Sequence, residues 1–254
     1  MLLAIDAGNS NITLGVFRNG LLVSRWRLRT VQEQTEDEWG ILMRNLFSLA
    51  ELDSSAIDGV IVASVVPPLD PTLAAMGREY FHREPVFVTP DTDTGLTVAY
   101  DNPREVGADR VVNSVAAFHR FGGPSVVVDL GTAITFDVVT ADARYLGGII
   151  CAGIGISTAA LFAKTARLPM VDFRRPDKLI GANTVASIQS GLYYGAISMI
   201  DGILERLAGE LGAETRMIAT GGHAPLIVAG SRYLAEADEN LTLEGLRLIW
   251  DRVK

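Results

Sequence analysis

Two short turns of the same type contain most of the residues that could carry out chemistry. Asp6 and Gly8 mark the first turn and Asp129 and Gly131 the second, and each turn lies between two apolar, strand-like runs. The glycine permits a sharp turn that exposes backbone N–H groups, and nearby hydroxyl and amide side chains add neutral donors. Such turns suit phosphate oxygens, and an aspartate at the head suits a Mg²⁺ ion held on those phosphates. For either copy taken alone, a β-hairpin whose polar residues only satisfy the turn is the alternative.

The spacing of the two turns indicates an internal repeat. The second aspartate follows the first by nearly half of the 254-residue chain, and the flanking strand-like runs match. We therefore expect two similar α/β halves, residues 1–117 and 118–254, with a cleft between them. A cleft of this kind is the usual place for a small-molecule ligand.

Hydrophobic periodicity predicts the elements that would position the turns. Strands are predicted for residues 2–5, 12–18, 21–28, 57–66, 85–88, 125–128, 133–140, 145–150 and 217–220. Helices are predicted for residues 36–50, 71–81, 109–120, 155–165, 184–211 and 244–253. Hairpin strands mixed with alternating strands and helices favour layered α/β domains.

The composition is that of a folded chain and excludes several functional classes. The 22 Lys and Arg residues are outnumbered by 30 Asp and Glu residues, which gives a dispersed net charge of −8. This charge argues against binding to nucleic acid or to an anionic membrane. The single cysteine, Cys151, excludes an internal disulfide framework and favours a cytoplasmic location. No signal peptide is expected, because Asp6 interrupts the short apolar start.

Several common motifs are missing from the sequence. There is no Walker A loop, and no glycine-rich dinucleotide motif follows the first predicted strand. The glycines near Ser157 lack the spacing of a serine hydrolase. Arg25, Arg27 and Arg29 alternate along one predicted strand, a pattern that is typical of a protected sheet edge.

Further segments, together with the two turns, resemble the type III pantothenate kinase family of the acetate and sugar kinase/Hsp70/actin superfamily. In family order they are Tyr100-Asp101-Asn102-Pro103, Glu105-Val106-Gly107-Ala108-Asp109-Arg110-Val111-Val112-Asn113, Asp129-Leu130-Gly131-Thr132-Ala133, Gly147-Gly148-Ile149-Ile150, Thr165-Ala166-Arg167-Leu168-Pro169, Gly181-Ala182-Asn183-Thr184 and Thr220-Gly221-Gly222. The resemblance spans essentially the whole chain. It implies two ribonuclease-H-like (actin-like ATPase) domains and ATP-dependent phosphorylation of pantothenate to 4′-phosphopantothenate, the first step of coenzyme A biosynthesis.

The resemblance also implies roles for individual residues. ATP, with Mg²⁺, would bind Asp6, Ala7, Gly8, Asn9, Ser10, Asn11, Ile12, Thr13 and Thr132. Pantothenate would bind Tyr100, Gly107, Ala108, Asp109, Arg110 and Thr184, with Thr184 at the interface of a homodimer. Asp109 would be the general base, and Asp129 would hold a monovalent cation, K⁺ or NH₄⁺.

The residues alone leave alternatives open. An aspartate at a helix start, such as Asp109, is also typical of a helix cap or of a pair with Arg110. Arg110 either binds a substrate carboxylate or forms a surface ion pair. The rival functions are phosphorylation of another small acid or sugar and a non-catalytic, nucleotide-binding regulatory accessory factor.

Overall fold

The computed structural model describes all 254 residues, which divide into two compact α/β units. The first unit comprises Met1–Leu96, Tyr100–Ala116 and Thr242–Lys254, and the second comprises Thr97–Ala99 and Ala117–Leu241. Most of the C-terminal helix therefore belongs to the first unit, together with the N-terminal strands.

Ten strands and seven α-helices make up the two units. The strands are β1 (Leu2–Ala7), β2 (Asn11–Arg18), β3 (Leu21–Arg29), β4 (Gly59–Ser64), β5 (Val86–Phe87), β6 (Thr97–Val98), β7 (Ser125–Leu130), β8 (Ala133–Val139), β9 (Arg144–Ala152) and β10 (Arg216–Thr220). The helices are α1 (Glu36–Leu49), α2 (Asp70–Phe81), α3 (Ala108–Phe121), α4 (Ile154–Ala163), α5 (Thr184–Leu211), α6 (Ala224–Val228) and α7 (Leu241–Val253). None of these helices has the length and apolar character that a membrane-spanning segment requires.

The first unit is built on a five-stranded sheet of order β3-β2-β1-β4-β5. β1, β2 and β3 form an antiparallel meander, and β4 and β5 continue the sheet parallel to β1. Because successive side chains point to opposite faces, the sheet has two apolar faces. One face packs against α1 and α2 through Trp39, Met43 and Leu73. The other packs against α3 and α7 through Val112 and Leu246.

The second unit has the same architecture in a sheet of order β10-β7-β8-β9-β6. β7, β8 and β9 form an antiparallel meander, and β10 pairs parallel with β7. A parallel bridge between Ala219 and Ala237 takes the place that β5 has in the first sheet, while β6 adds a short strand beside β9. α5 and α6 cover one face through Ile200, Leu204 and Ile227.

The strand registers confirm the predicted repeat. β1 and β7 show the same sequence of buried and half-buried residues, and so do the first seven residues of β2 and β8. Asp6 lies directly opposite Thr13 in the first sheet, and Asp129 lies directly opposite Thr135 in the second. The chain therefore folds, as predicted, into two similar ribonuclease-H-like domains.

All of the predicted strands and helices are present, and no end differs from its prediction by more than three residues. The predicted helix over residues 184–211 coincides with α5, because its ends carry clear signals. The Asn183 side chain accepts the backbone N–H of Ala186, and Gly212 ends the helix with a positive φ. β6 and α6 were not predicted, since such short segments show no periodicity.

Candidate active site

The first turn joins β1 to β2 and is braced by the end of β3. The backbone N–H of Gly8 donates to the carbonyl oxygen of Asn11 at 3.0 Å. Thr30 donates twice to the turn, from its backbone N–H to the Ser10 carbonyl at 3.1 Å and from its hydroxyl to the Gly8 carbonyl at 2.6 Å. Asn9 and Ser10 are exposed at the tip. The turn is thus held in shape while its polar tip faces solvent, as a phosphate-binding turn requires.

The aspartate of this turn lies at the carboxyl end of β1. Asp6 is half-buried and stands between Thr13 of β2 and Ala63 of β4. Just beyond β4, the backbone N–H of Val65 donates to the carbonyl oxygen of Ala7 at 3.0 Å. The carboxyl ends of the parallel strands β1 and β4 therefore meet at one edge, where open α/β sheets usually bind ligands.

α3 begins at this same edge. A Cβ atom on Gly107 would lie 3.4 Å from Val65 Cγ1 and 2.6 Å from Asp109 Oδ1, so Gly107 lies close to both Val65 and the Asp109 side chain. Since Val65 is hydrogen-bonded to Ala7, the contact places Asp109 at the edge that carries the Asp6 turn. The structure thus brings two of the predicted site segments together within the first unit.

The Asp109 carboxyl group is half-buried in the first turn of α3. The backbone N–H of Arg110 donates to Asp109 Oδ1 at 2.8 Å. Burial raises the pKa of Asp109 above its ordinary value of 3.8, and the hydrogen bond and positive charge of Arg110 oppose this shift. A carboxylate with a raised pKa is a stronger base. Asp109 can therefore accept the backbone hydrogen bond at the start of α3 and still act as a base.

The two other distinctive side chains of this region are Arg110 and Tyr100. Arg110 is 8% exposed, so it is a buried side chain, and any ion pair that it forms is a buried one. Tyr100 is half-buried in the segment between β6 and α3. In that segment the Asn102 side chain accepts the backbone N–H of Arg104 at 3.3 Å and donates to Glu105 at 2.8 Å. Part of this motif therefore shapes the chain ahead of α3.

The second turn, between β7 and β8, depends on glycines at positions of close approach. Gly221 has a φ of +92°, and a Cβ atom there would lie 2.6 Å from Asp129 Oδ1. A Cβ atom on Gly153, the residue before α4, would overlap the carbonyl oxygen of Thr132. Backbone therefore packs closely around Asp129, while Thr132 is exposed at the tip of the turn.

The carboxylate at each of the two turns suits a cation that also binds a phosphate ligand. No cluster of three or more His, Cys, Asp or Glu side chains that could hold a metal ion is present. Asp6 and Asp129 each offer one half-buried carboxylate at a turn. Mg²⁺ commonly takes one or two carboxylates and completes its shell with water and substrate phosphates. Single aspartates at such turns suit a cation that arrives with a nucleotide.

Thr184 has a different setting from the other predicted substrate residues. It is the first residue of α5 and is exposed in the second unit, whereas Tyr100 and residues 107–110 belong to the first. Thr184 lines an open groove of about 690 Å³ together with Leu161 near the end of α4 and Leu168.

Sequence reasoning missed residues that only the strand pairing brings to the turns. Thr30 braces the first turn, yet a threonine at the end of a strand gives no local signal. In the second unit Asp137 is fully buried in β8, where it accepts hydrogen bonds from Thr135 at 2.9 Å and Tyr145 at 2.8 Å. An aspartate within an otherwise apolar strand was the available signal for this polar group.

The comparisons of sequence agree on one family. The family model described as type III pantothenate kinase matches residues 2–206. The type III pantothenate kinase of Solibacter usitatus (strain Ellin6076) is 66% identical over 252 residues, covering 99% of this chain and 97% of that protein. The type III pantothenate kinase of Koribacter versatilis (strain Ellin345) is 54% identical over 262 residues, covering 99% and 96% of the two chains.

A solved structure supports the fold independently. A Sinorhizobium meliloti protein assigned as a 2-dehydro-3-deoxygalactonokinase matches 100% of this chain and 99% of its own, with a TM-score of 0.62 and 14% identity. Likeness at that identity concerns the fold alone, and it agrees with two domains of the ribonuclease-H-like type. The sequence matches over nearly the full length decide the family, and the chain belongs to the type III pantothenate kinases.

Proposed function

We propose that this chain transfers the γ-phosphoryl group of ATP to the primary hydroxyl of pantothenate. The products are ADP and 4′-phosphopantothenate, so the reaction is the first step of coenzyme A biosynthesis. Family membership supports the reaction. The observation that carries the mechanism is the half-buried Asp109 at the sheet edge that bears the Asp6 turn.

Asp109 serves as the general base. Phosphoryl transfer depends on positioning, on neutralisation of charge and on removal of the proton from the acceptor. As the new P–O bond forms, the hydroxyl proton passes to the Asp109 carboxylate, and the bond to the leaving ADP breaks with its electron pair on ADP. The raised pKa of Asp109 supports this role, since it strengthens the carboxylate as a proton acceptor.

The polar groups of the turns and of the start of α3 bind the two substrates. The ATP phosphates contact the first turn, at Asp6, Ala7, Gly8, Asn9, Ser10, Asn11, Ile12 and Thr13, and ATP also contacts Thr132. Pantothenate contacts Tyr100, Gly107, Ala108, Arg110 and Thr184. The Arg110 guanidinium pairs with the pantothenate carboxylate, and its burial supports this role because a buried charge pair is screened less by water.

Two kinds of cation assist the reaction. Asp6 holds the Mg²⁺ that accompanies ATP, and Asp129 holds a monovalent cation, K⁺ or NH₄⁺. When bound, these ions neutralise charge on the phosphates. Support comes from the single half-buried carboxylate at each turn and, for Asp129, from the close backbone around it.

The active form is a homodimer. Most of the large apolar side chains that are exposed lie on one stretch of the second unit, at Leu146, Ile150, Ile156, Leu161, Phe162, Met170, Leu179, Ile180 and Val185. Exposed apolar side chains in such number indicate an interaction surface. A second copy of this chain would cover them and include Thr184 in the interface. Light scattering on the purified protein tests this, and a monomer at micromolar concentration would contradict it.

The remaining features of the proposal follow from composition and from the repeat. The two halves, residues 1–117 and 118–254, are proposed to derive from one duplicated domain, as the matched turns suggest. The dispersed acidic charge supports a protein that binds neither nucleic acid nor membrane. A single half-buried cysteine suits the reducing cytoplasm.

The reaction is tested by ADP release from purified protein with MgATP, with and without K⁺. Pantothenate is compared with a panel of small acids and sugars as acceptors. We expect turnover that requires pantothenate and increases with K⁺. Turnover only with another acceptor would show that pantothenate is not the substrate. ATP binding without any turnover would contradict the kinase proposal and favour a nucleotide-binding regulator.

A further inference from the structure

We propose that Arg27, on the neighbouring strand β3, is a phosphate ligand of the nucleotide bound at the first turn. The inference rests on the proposed function in one respect, namely that the Asp6 turn binds the phosphates. It adds a positive charge that residues 6–13 themselves do not contain. Arg29, on the same face of β3, extends this positive edge.

The strand register places Arg27 in the row of the first turn. Asp6 lies opposite Thr13, and Thr13 lies opposite Arg27. Directly opposed residues on antiparallel strands point to the same face of the sheet, with Cβ atoms about 4.5–5.5 Å apart. Asp6, Thr13 and Arg27 therefore form one continuous row, and an arginine side chain is long enough to reach a ligand above its neighbour. Arg29 lies opposite Asn11 in the next row.

The arginines face the side of the sheet on which Asp109 lies. Trp26 and Leu28, which alternate with the arginines, pack into the core with α1 and α2. Arg27 therefore points to the opposite face, where Ala4 and Ala63 pack against α3 and α7. Since α3 begins with the proposed base, a phosphate ligand on this face lies on the correct side of the sheet.

β3 is also fixed to the turn itself. Thr30, at the end of β3, donates hydrogen bonds to the carbonyl oxygens of Gly8 and Ser10. The distance between the arginine-bearing strand and the turn is therefore set by direct bonds. This rigidity favours a binding group, because a side chain on a fixed strand loses less entropy when it contacts a ligand.

Arg27 and Arg29 are exposed and form no ion pair or side-chain hydrogen bond with the protein. Some other arginines of this acidic chain are paired with carboxylates, as Arg247 is with Glu244 and Arg252 with Asp93. Guanidinium groups that stay unpaired among an excess of carboxylates are available to an anionic ligand. Arginine also suits phosphate particularly well, since it donates two parallel hydrogen bonds to its oxygens.

Protection of the sheet edge is the competing explanation, because β3 is the outermost strand. The two explanations differ in what a neutral side chain would do. Edge protection predicts no change in nucleotide affinity when Arg27 loses its charge. A phosphate contact predicts a specific loss of nucleotide affinity, since a charge-assisted hydrogen bond is stronger than a neutral one.

The test compares Arg27→Gln with Arg44→Gln, which removes the same charge from the exposed side of α1. We expect Arg27→Gln to raise the KM for MgATP and the Kd for inorganic triphosphate about ten-fold or more. The KM for pantothenate should stay within about two-fold, and Arg44→Gln should match the wild type in all three. Triphosphate affinity is measured without turnover, so it judges the inference even if pantothenate is not the substrate.

A rescue variant separates a ligand contact from a structural effect. Because Thr13 lies opposite Arg27, a lysine there places its ammonium group over the same row. In the double variant Thr13→Lys/Arg27→Gln we expect triphosphate affinity to recover by at least about three-fold. If Arg27→Gln keeps triphosphate affinity and the KM for MgATP within two-fold of the wild type, the inference is wrong. A loss that Arg27→Lys and the double variant both fail to relieve would also overturn it.

Discussion

In both turns of the molecule an aspartate lies opposite a threonine of the next strand, but the neighbouring row on the same face of each sheet holds different residues. In the first unit, two residues beyond Thr13, stands Gly15, where a Cβ atom would lie 2.9 Å from the Leu243 side chain of α7. The corresponding residue after Thr135 is Asp137, which is fully buried and hydrogen-bonded. The first sheet thus uses this row for helix packing, and the second uses it for a polar network.

The supports of the two turns differ as well. Thr30, the residue after β3, hydrogen-bonds to the first turn, whereas the backbone at Gly153 and Gly221 packs against the second turn. The second turn is also one residue shorter between its aspartate and the opposed threonine. The hairpin therefore has a similar turn in both units, while the residues that surround the turn differ.

The largest expected effect concerns the two aspartates. We expect Asp6→Asn to lower kcat/KM for MgATP about 100-fold at any K⁺ concentration, because it removes a carboxylate from the proposed Mg²⁺ site. Asp129→Asn should instead raise the K⁺ concentration required for half-maximal activity by about ten-fold. Steady-state kinetics over a K⁺ and Mg²⁺ titration measure both, with the exposed Asp91→Asn as the control. If the two variants respond alike to both ions, the proposed assignment of Mg²⁺ to Asp6 and of the monovalent cation to Asp129 is wrong.

A smaller effect is expected at the glycine that backs the second turn. Gly153→Ala forces a Cβ atom against the Thr132 carbonyl, so we expect it to lower the free energy of unfolding by about 2 kcal/mol. Gly155→Ala, two residues on in α4, meets no atom within 4 Å and should stabilise the protein by about 0.5–1 kcal/mol. Urea unfolding of the two variants gives the comparison. Equal stability would show that the close approach at Gly153 is relieved without cost.

The smallest effect concerns the polar network of the second sheet. Tyr145→Phe removes one of the hydrogen bonds to the buried Asp137 and should cost about 1 kcal/mol of unfolding free energy. Tyr80→Phe removes a similar hydroxyl–carboxylate bond, to Asp37 in the first unit, but at an exposed site. There we expect a smaller change than for Tyr145→Phe, because water competes for an exposed hydrogen bond. Thermal unfolding of the two variants measures the difference. If Tyr145→Phe is as stable as the wild type, the hydrogen bonds around Asp137 do not contribute to stability.

The sequence predicted the turns because their signal is local. Asp6, Gly8, Asp129 and Gly131 are close in sequence to the groups they position, and matching apolar runs mark the strands around them. The bounds of α5 were equally predictable, since a capping asparagine and a final glycine mark its ends. Roles for Tyr100, Thr184 and Asp129 came from the resemblance to a family, and they stay predictions.

The rest depends on strand pairing, which the sequence does not display. Arg27 shares a row with Asp6 only because β2 pairs with both β1 and β3 in a particular register. The pattern of arginines alone was interpreted as edge protection. The approach of Asp109 to the first turn likewise depends on Val65 and Gly107, whose contact joins distant parts of the chain. Residues that reach the site through strand pairing or through contacts between distant segments can be identified only from the folded structure.

We propose that Asp109 takes the proton from pantothenate. The test is the pH dependence of 4′-phosphopantothenate formation, measured by mass spectrometry for the wild type and Asp109→Asn. The base acts only when ionised, so wild-type kcat/KM should fall as the pH drops through the pKa of Asp109, which burial raises above 3.8. Asp109→Asn should form product at least about 100-fold more slowly and lack this acid limb. A variant with the wild-type rate and the same limb would contradict the claim.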